Sequence, residues 1–140
     1  MKFEEFELER NQSLFEHKVD FNLSESGLHP LPLKSILTKN EQSDLMDTEL
    51  IYGHTNGTPS LREKISKLYN SAKSENILVT SGSAEANYVA IMTLLNPGDE
   101  LIYMVPNYLQ IRGIARNIGV NIVELPLREK LGWQWDINEL

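Results

Sequence analysis

The stretch from residue 77 to 125 constrains this chain most, because apolar runs of strand length alternate there with apolar segments of helix length. Ile77-Leu78-Val79-Thr80 is a short continuous apolar run, the kind expected of a strand covered on both faces. Ser81-Gly82-Ser83 breaks it, and a helix is expected over residues 83–95. That helix is apolar nearly all round (Val89, Ala90, Ile91, Met92, Leu94, Leu95), which predicts deep burial. Asn96-Pro97-Gly98-Asp99 turns the chain into a second strand over 100–105. A further helix carries Ile111, Ile114, Ala115 and Ile118 on one face and stops at Gly119, before a third strand over 120–125. Strand, helix, strand, helix, strand with short connections is a βαβαβ unit. It predicts an α/β protein with a mainly parallel sheet between helical layers, a three-layer αβα architecture.

The flanking sequence is less regular. Residues 2–16 are charged, with Phe3, Phe6 and Phe15 set among acids, and read as a short amphipathic helix or arm. Residues 19–23 are strand-like, and Pro30 and Pro32 follow the break at Ser24-Glu25-Ser26-Gly27. Leu33, Ile36 and Leu37 have helical spacing, and residues 40–50 read as a polar loop. Pro59 stands in the first turn of a helix carrying Leu61, Ile65, Leu68 and Tyr69, where its missing N–H costs nothing. Asp136 is placed to cap a helix just starting. A three-stranded sheet followed by an unfinished helix is expected to be the first part of a larger domain. The division expected is an arm and small-domain segment over 1–50, and the start of a large domain over 51–140.

Composition removes several functions. With 41% hydrophobic and 24% charged residues the chain can build a core. A net charge of −7 argues against nucleic-acid or anionic-membrane partners, which call for clustered Lys and Arg. There is no cysteine, so disulfides, thiolate metal sites and a cysteine nucleophile are excluded, and no metal site is expected. The start has no apolar segment of the secretory type, and no apolar run approaches membrane-spanning length, so the cytoplasm is the default location.

Three places could carry chemistry. At Thr80-Ser81-Gly82-Ser83-Ala84-Glu85, a glycine after a strand allows a tight turn that aims helical N–H groups outward, a ready anion site to which Ser81 and Ser83 could add donors. The same residues equally describe a plain turn in which serine caps a helix, and no glycine fingerprint of a nucleotide-binding type is present. Pro106-Asn107-Tyr108 follows the next strand at its carboxyl end, where open α/β sheets gather ligands. Tyr108 could stack on a flat ring there, or serve as the first core residue of the following helix. Tyr52-Gly53-His54-Thr55-Asn56-Gly57 specifies a structured loop, in which Tyr52 could offer a phenol to a ligand or merely face solvent.

Taken in order, Tyr52-Gly53…Gly57-Thr58-Pro59-Ser60-Leu61-Arg62, Val79-Thr80-Ser81-Gly82-Ser83-Ala84-Glu85-Ala86, Asn96-Pro97-Gly98-Asp99-Glu100, Pro106-Asn107-Tyr108 and Gly119 resemble the N-terminal part of class I/II aminotransferases. These are the fold type I enzymes dependent on pyridoxal 5′-phosphate (PLP). The resemblance implies that Ser81, Gly82, Ser83 and Ala84 form the cup for the cofactor phosphate, and that Tyr108 stacks on its pyridine ring. It further implies that Tyr52 reaches the phosphate held by a partner subunit in a homodimer, and that Ser26 or Gly27 approaches the substrate carboxylate. Glu85 departs from the expectation, since a carboxylate in the first turn repels a phosphate unless it points away. The Schiff-base lysine of the family, its pyridine-nitrogen aspartate and its carboxylate-binding arginine have no counterpart among these residues. The eight lysines (2, 18, 34, 39, 64, 67, 73 and 130) sit in charged or helix-surface contexts. The implied role is the cofactor-binding part of an enzyme acting on amino-acid and 2-oxo-acid substrates, without a catalytic residue of its own. Lyases, decarboxylases and cyclases share the fold. A non-catalytic remnant or one chain of a split enzyme would have the same sequence features.

Overall fold

The computed structural model describes residues 5–140, so Phe3 of the expected arm lies outside the described residues. The chain divides into two compact units. One comprises the described residues up to Lys18 together with Val79–Leu140, and the other is Val19–Leu78.

The first unit is built on a parallel pair, β1 (Glu100–Val105) and β2 (Asn121–Pro126), in a register that sets Leu101 beside Ile122 and Tyr103 beside Glu124. Between them runs α6 (Gln110–Asn117), and before β1 comes α5 (Ser83–Leu94). Side chains alternate across a strand, so Leu101 and Ile122 share a face, and that face is the one α5 and α6 cover. Ile91 of α5, Ala115 of α6 and Val120 are buried there and pack with Leu95, Leu101, Ile111, Ile114, Ile118 and Ile122. The opposite face carries Ile102, Met104 and Val123 exposed.

The crossover is fixed by its end. Gly119 has φ +86°, a conformation costly for any residue with a Cβ. Its N–H donates to Arg116 O and the next N–H, of Val120, donates to Ala115 O, both at 3.0 Å. Those two bonds are the Schellman arrangement, which satisfies the last helical carbonyls and turns the chain into β2. Ahead of this unit's core, α1 (Glu7–Phe15) forms the helix expected of the arm.

Three expectations are corrected. Residues 77–80 pair with no strand among the described residues, so the sheet has two strands and not three. Apolar character alone does not make a strand, which needs a hydrogen-bonded neighbour. Residues 19–23 likewise form no strand, and Phe21 and Leu23 are exposed. Helix α5 is not deeply buried, for only Ile91 among its residues is.

The second unit contains α2 (Leu33–Ile36), α3 (Lys39–Met46) and α4 (Pro59–Ser66). Helix α3 replaces the loop expected over 40–50. Thr38 Oγ1 accepts from Glu41 N–H at 3.3 Å, and the Glu41 carboxylate accepts from Thr38 N–H at 2.7 Å. This capping box satisfies two otherwise orphaned donors, and it offsets a composition poor in apolar residues. Helix α4 starts as expected, with Pro59 in its first turn and Thr58 accepting from Leu61 N–H. Asp136 also caps as expected, but the element it opens is a single 3-10 turn, Ile137–Glu139.

The capping box makes α3 sensitive to pH. Hydrogen bonds from the Thr38 side chain and backbone hold the Glu41 carboxyl below its ordinary value of 4.5. A depressed carboxyl stabilises above its unfolded value, and that contribution is lost as pH falls through the lower folded value. Helicity of the chain, followed by circular dichroism at 222 nm, should therefore show a loss below the carboxylate range. Thr38→Ala should lower helicity at neutral pH and shrink that acid step.

Candidate functional site

The turn into α5 has the geometry of an anion cup. Gly82 is the helix N-cap with φ +105° and ψ 170°, a region open in practice only to glycine. Having no side chain, it cannot cap the helix itself, which leaves first-turn N–H groups for water or a ligand. A Cβ built on Gly82 would meet nothing within 4 Å, so the space beside the turn is open. Thr80 Oγ1 donates to Gly82 O at 2.9 Å and steadies the turn from below. Glu85 does not point away as a bound phosphate would prefer. Its carboxylate folds back to accept from Ser81 N–H at 2.5 Å, which removes one donor from the cup. The N–H groups of Ser83 and Ala84, in the first turn of α5, remain directed along the positive end of the helix.

Tyr108 lies just beyond β1 and just before α6. Its backbone is held on both sides: its N–H donates to Asn107 Oδ1 at 2.7 Å, and its carbonyl accepts from the hydroxyl of the buried Tyr103. Burial is the main cause that pushes the Tyr103 phenol up, which keeps it a donor. Tyr108 is 40% exposed, so it is not a core residue.

One side chain joins α5 to the segment that carries Tyr108. Gln110, two residues after Tyr108, donates through Nε2 to Ala84 O at 3.0 Å and accepts through Oε1 from Asn87 Nδ2 at 3.0 Å. The first two turns of α5 and the start of α6 are thereby tied together through both the nitrogen and the oxygen of one glutamine amide. A helix N-terminus with the Glu85 carboxylate folded over Ser81 N–H, a partly exposed tyrosine and the Gln110 bridge between their two helices thus lie in one unit.

Residues 18–140 match the family model described as aminotransferase class I and II. The chain belongs to that family. The aspartate aminotransferase of Pyrococcus horikoshii is 34% identical over 89 residues, which cover 60% of this chain and 23% of that enzyme. The probable aspartate aminotransferase of Methanocaldococcus jannaschii is 44% identical over 63 residues, covering 41% and 17%. A PLP-dependent aminotransferase from Streptococcus suis superposes on 99% of this chain with a TM-score of 0.89 and 28% identity, and the chain spans 39% of it. The fold is thus that of PLP-dependent aminotransferases, and this chain spans well under half the length of each relative named.

Of the site residues expected from the aminotransferase resemblance, the structure brings Ser81, Gly82, Ser83, Ala84 and Tyr108 together within the first unit. Tyr52, Ser26 and Gly27 belong to the second unit, and all three are exposed. Gly27 N–H donates to Glu25 Oε1 at 2.6 Å, closing a small local turn. The contacts of Gln110, Asn87 and Glu9 with this region were not legible, because each is made to a partner distant in sequence, whereas Tyr103 bonds to Tyr108 only five residues on.

A groove of about 450 Å³ lies between α1 and α6, lined by Glu5, Phe6, Gln110, Arg112 and their neighbours. It does not suit a phosphate, since Glu5 and Glu7 line it and Arg112 Nε lies 3.2 Å from Glu124 Oε1. No helix among the described residues is long and apolar enough to cross a membrane.

Proposed function

We propose that this chain supplies the phosphate- and ring-binding part of a PLP-dependent aminotransferase that moves an amino group between an amino acid and a 2-oxo acid. The Gln110 bridge supports this reading, because it ties the first turn of α5 to the start of α6, two residues after Tyr108. When bound, PLP supplies an electron-withdrawing ring that makes the substrate α-proton labile. The residues of this chain supply binding and orientation. Ser83 and Ala84 N–H groups, with the Ser81 and Ser83 hydroxyls, hold the phosphate against the helix dipole once the Glu85 carboxylate swings off Ser81 N–H. Tyr108 lies against the ring and fixes its plane, so that groups elsewhere in the protein meet the reacting carbon in register.

In the same reading Tyr52 extends toward the phosphate bound in the partner of a homodimer, and Ser26 or Gly27 approaches the substrate carboxylate. No lysine here is proposed to hold the cofactor. Lys67 pairs with Glu63 at 3.1 Å, and Lys18 lies 5.8 Å from the Phe15 ring centroid, both on the surface.

The test is a titration of the chain with PLP against pyridoxal, which lacks the phosphate. PLP should bind measurably more tightly than pyridoxal. Tyr108→Ala should weaken PLP binding about fivefold, the worth of one aromatic stacking contact. Borohydride reduction should leave adducts spread over several surface lysines. Equal affinity for both compounds, or a reduced adduct confined to one lysine, would contradict the reading.

A further inference from the structure

The two backbone bonds on Tyr108 leave its ring free to swing about two side-chain torsions, and at 40% exposure packing alone does not hold it. What holds it comes from 99 residues away: the phenol donates to Glu9 Oε1 at 2.7 Å. Phe6 meets the same ring edge-on, with centroids 5.1 Å apart and planes inclined by 69°. Resting on the proposed function, we infer that Glu9 and Phe6 of the N-terminal segment are positioning residues, which orient the Tyr108 ring for stacking on the cofactor.

The geometry divides the work between them. Glu9 anchors the tip of the ring and Phe6 braces its wall, and two such points determine the plane that a bound ring would meet. The acceptor is a carboxylate, so the hydrogen bond is charge-assisted and stronger than one to a neutral oxygen. That bond is the largest cause, ahead of burial and the Glu9 charge, of the Tyr108 phenol being pushed up to about 12. The phenol consequently stays a donor throughout the working range of pH. A platform oriented in advance loses less side-chain freedom when the ligand arrives, and the saving appears as affinity. Helix α1 therefore belongs to the site, although its sequence reads only as a charged arm.

Variants of the full chain titrated with PLP test this directly. Glu9→Ala should weaken binding about fivefold, the contribution of one modest hydrogen bond. Glu9→Gln keeps an acceptor oxygen and should restore it. In a Tyr108→Phe background Glu9→Ala should have no further effect, a coupling that a merely structural role for α1 would not give. The cofactor-free readout is the Tyr108 phenol titration, followed by NMR of 13C-labelled tyrosine. In Glu9→Ala it should move down toward the ordinary tyrosine value. If PLP binds the parent chain but Glu9→Ala changes neither affinity nor titration, the positioning role is wrong and the proposed function stands. If neither the phosphate group nor Tyr108→Ala affects affinity, the proposed function fails and the positioning role falls with it.

Discussion

Gly82→Ala should either destabilise the first unit by about 2 kcal/mol, on the order expected of a residue forced into a glycine-only backbone region, or weaken PLP binding at least tenfold. The cost is torsional. A methyl group at this position meets no atom within 4 Å, so steric overlap with neighbours contributes nothing. Either the turn keeps φ +105° and stores the strain, or it relaxes. Relaxation would draw Gly82 O away from Thr80 Oγ1 and rotate the first N–H groups of α5 off the phosphate position. Only relaxation reduces binding, and only the strained turn shows the full loss of stability, so urea denaturation and PLP titration together distinguish the two routes. Gly53→Ala is the control. Gly53 also has open space around it but no positive φ, and its substitution should alter stability by less than about 0.5 kcal/mol. Parent-like stability together with parent-like PLP affinity in Gly82→Ala would show that the turn does not form the cup.

What the sequence disclosed, and what it hid, follows from the range of the interactions involved. Helix ends are set by a few adjacent residues, so Pro59, Gly119 and Asp136 could be read directly as a start, a stop and a cap. The helix over 39–46 was equally legible in Thr38 and Glu41, but its polar composition drew the reading toward a loop. Strands are different, because a run such as Ile77-Leu78-Val79-Thr80 encodes apolarity and not the identity of its neighbour. The family order of Gly82, Pro97, Tyr108 and Gly119 pointed to the family, and the structure sets Gly82 and Tyr108 in one unit. That order could not show Gln110 bonding to Ala84 or Glu9 bonding to Tyr108, since each contact links segments 26 or 99 residues apart. Glu85 lies between these cases: its position in the first turn was visible, but its return to Ser81 N–H was not.

The apolar character of α5 on every side, read as deep burial, leads to the second large effect. Ile91 is 7% exposed and packs with Ala115 and Val120, whereas Leu94, three residues on, is 74% exposed. If packing and not composition decides energy, these two residues should differ sharply when truncated. Ile91→Ala should cost about 3 kcal/mol, the transfer energy of the lost methyl groups plus that of the cavity left behind. Ala115 cannot fill that cavity, being fully buried itself and too small to reach across. Leu94→Ala should cost less than about 0.5 kcal/mol in this chain, because little apolar surface leaves water there on folding. The measurement is the urea midpoint of each variant at unchanged slope. Ile91→Ala should also weaken PLP binding, since the residue holds down the helix whose first turn forms the cup. Leu94→Ala should leave that affinity as it is. Similar losses for both variants would mean that the surface around Leu94 is covered in solution by something other than α6 and the sheet, such as a second copy of the chain, and a dependence of the midpoint on protein concentration would identify it.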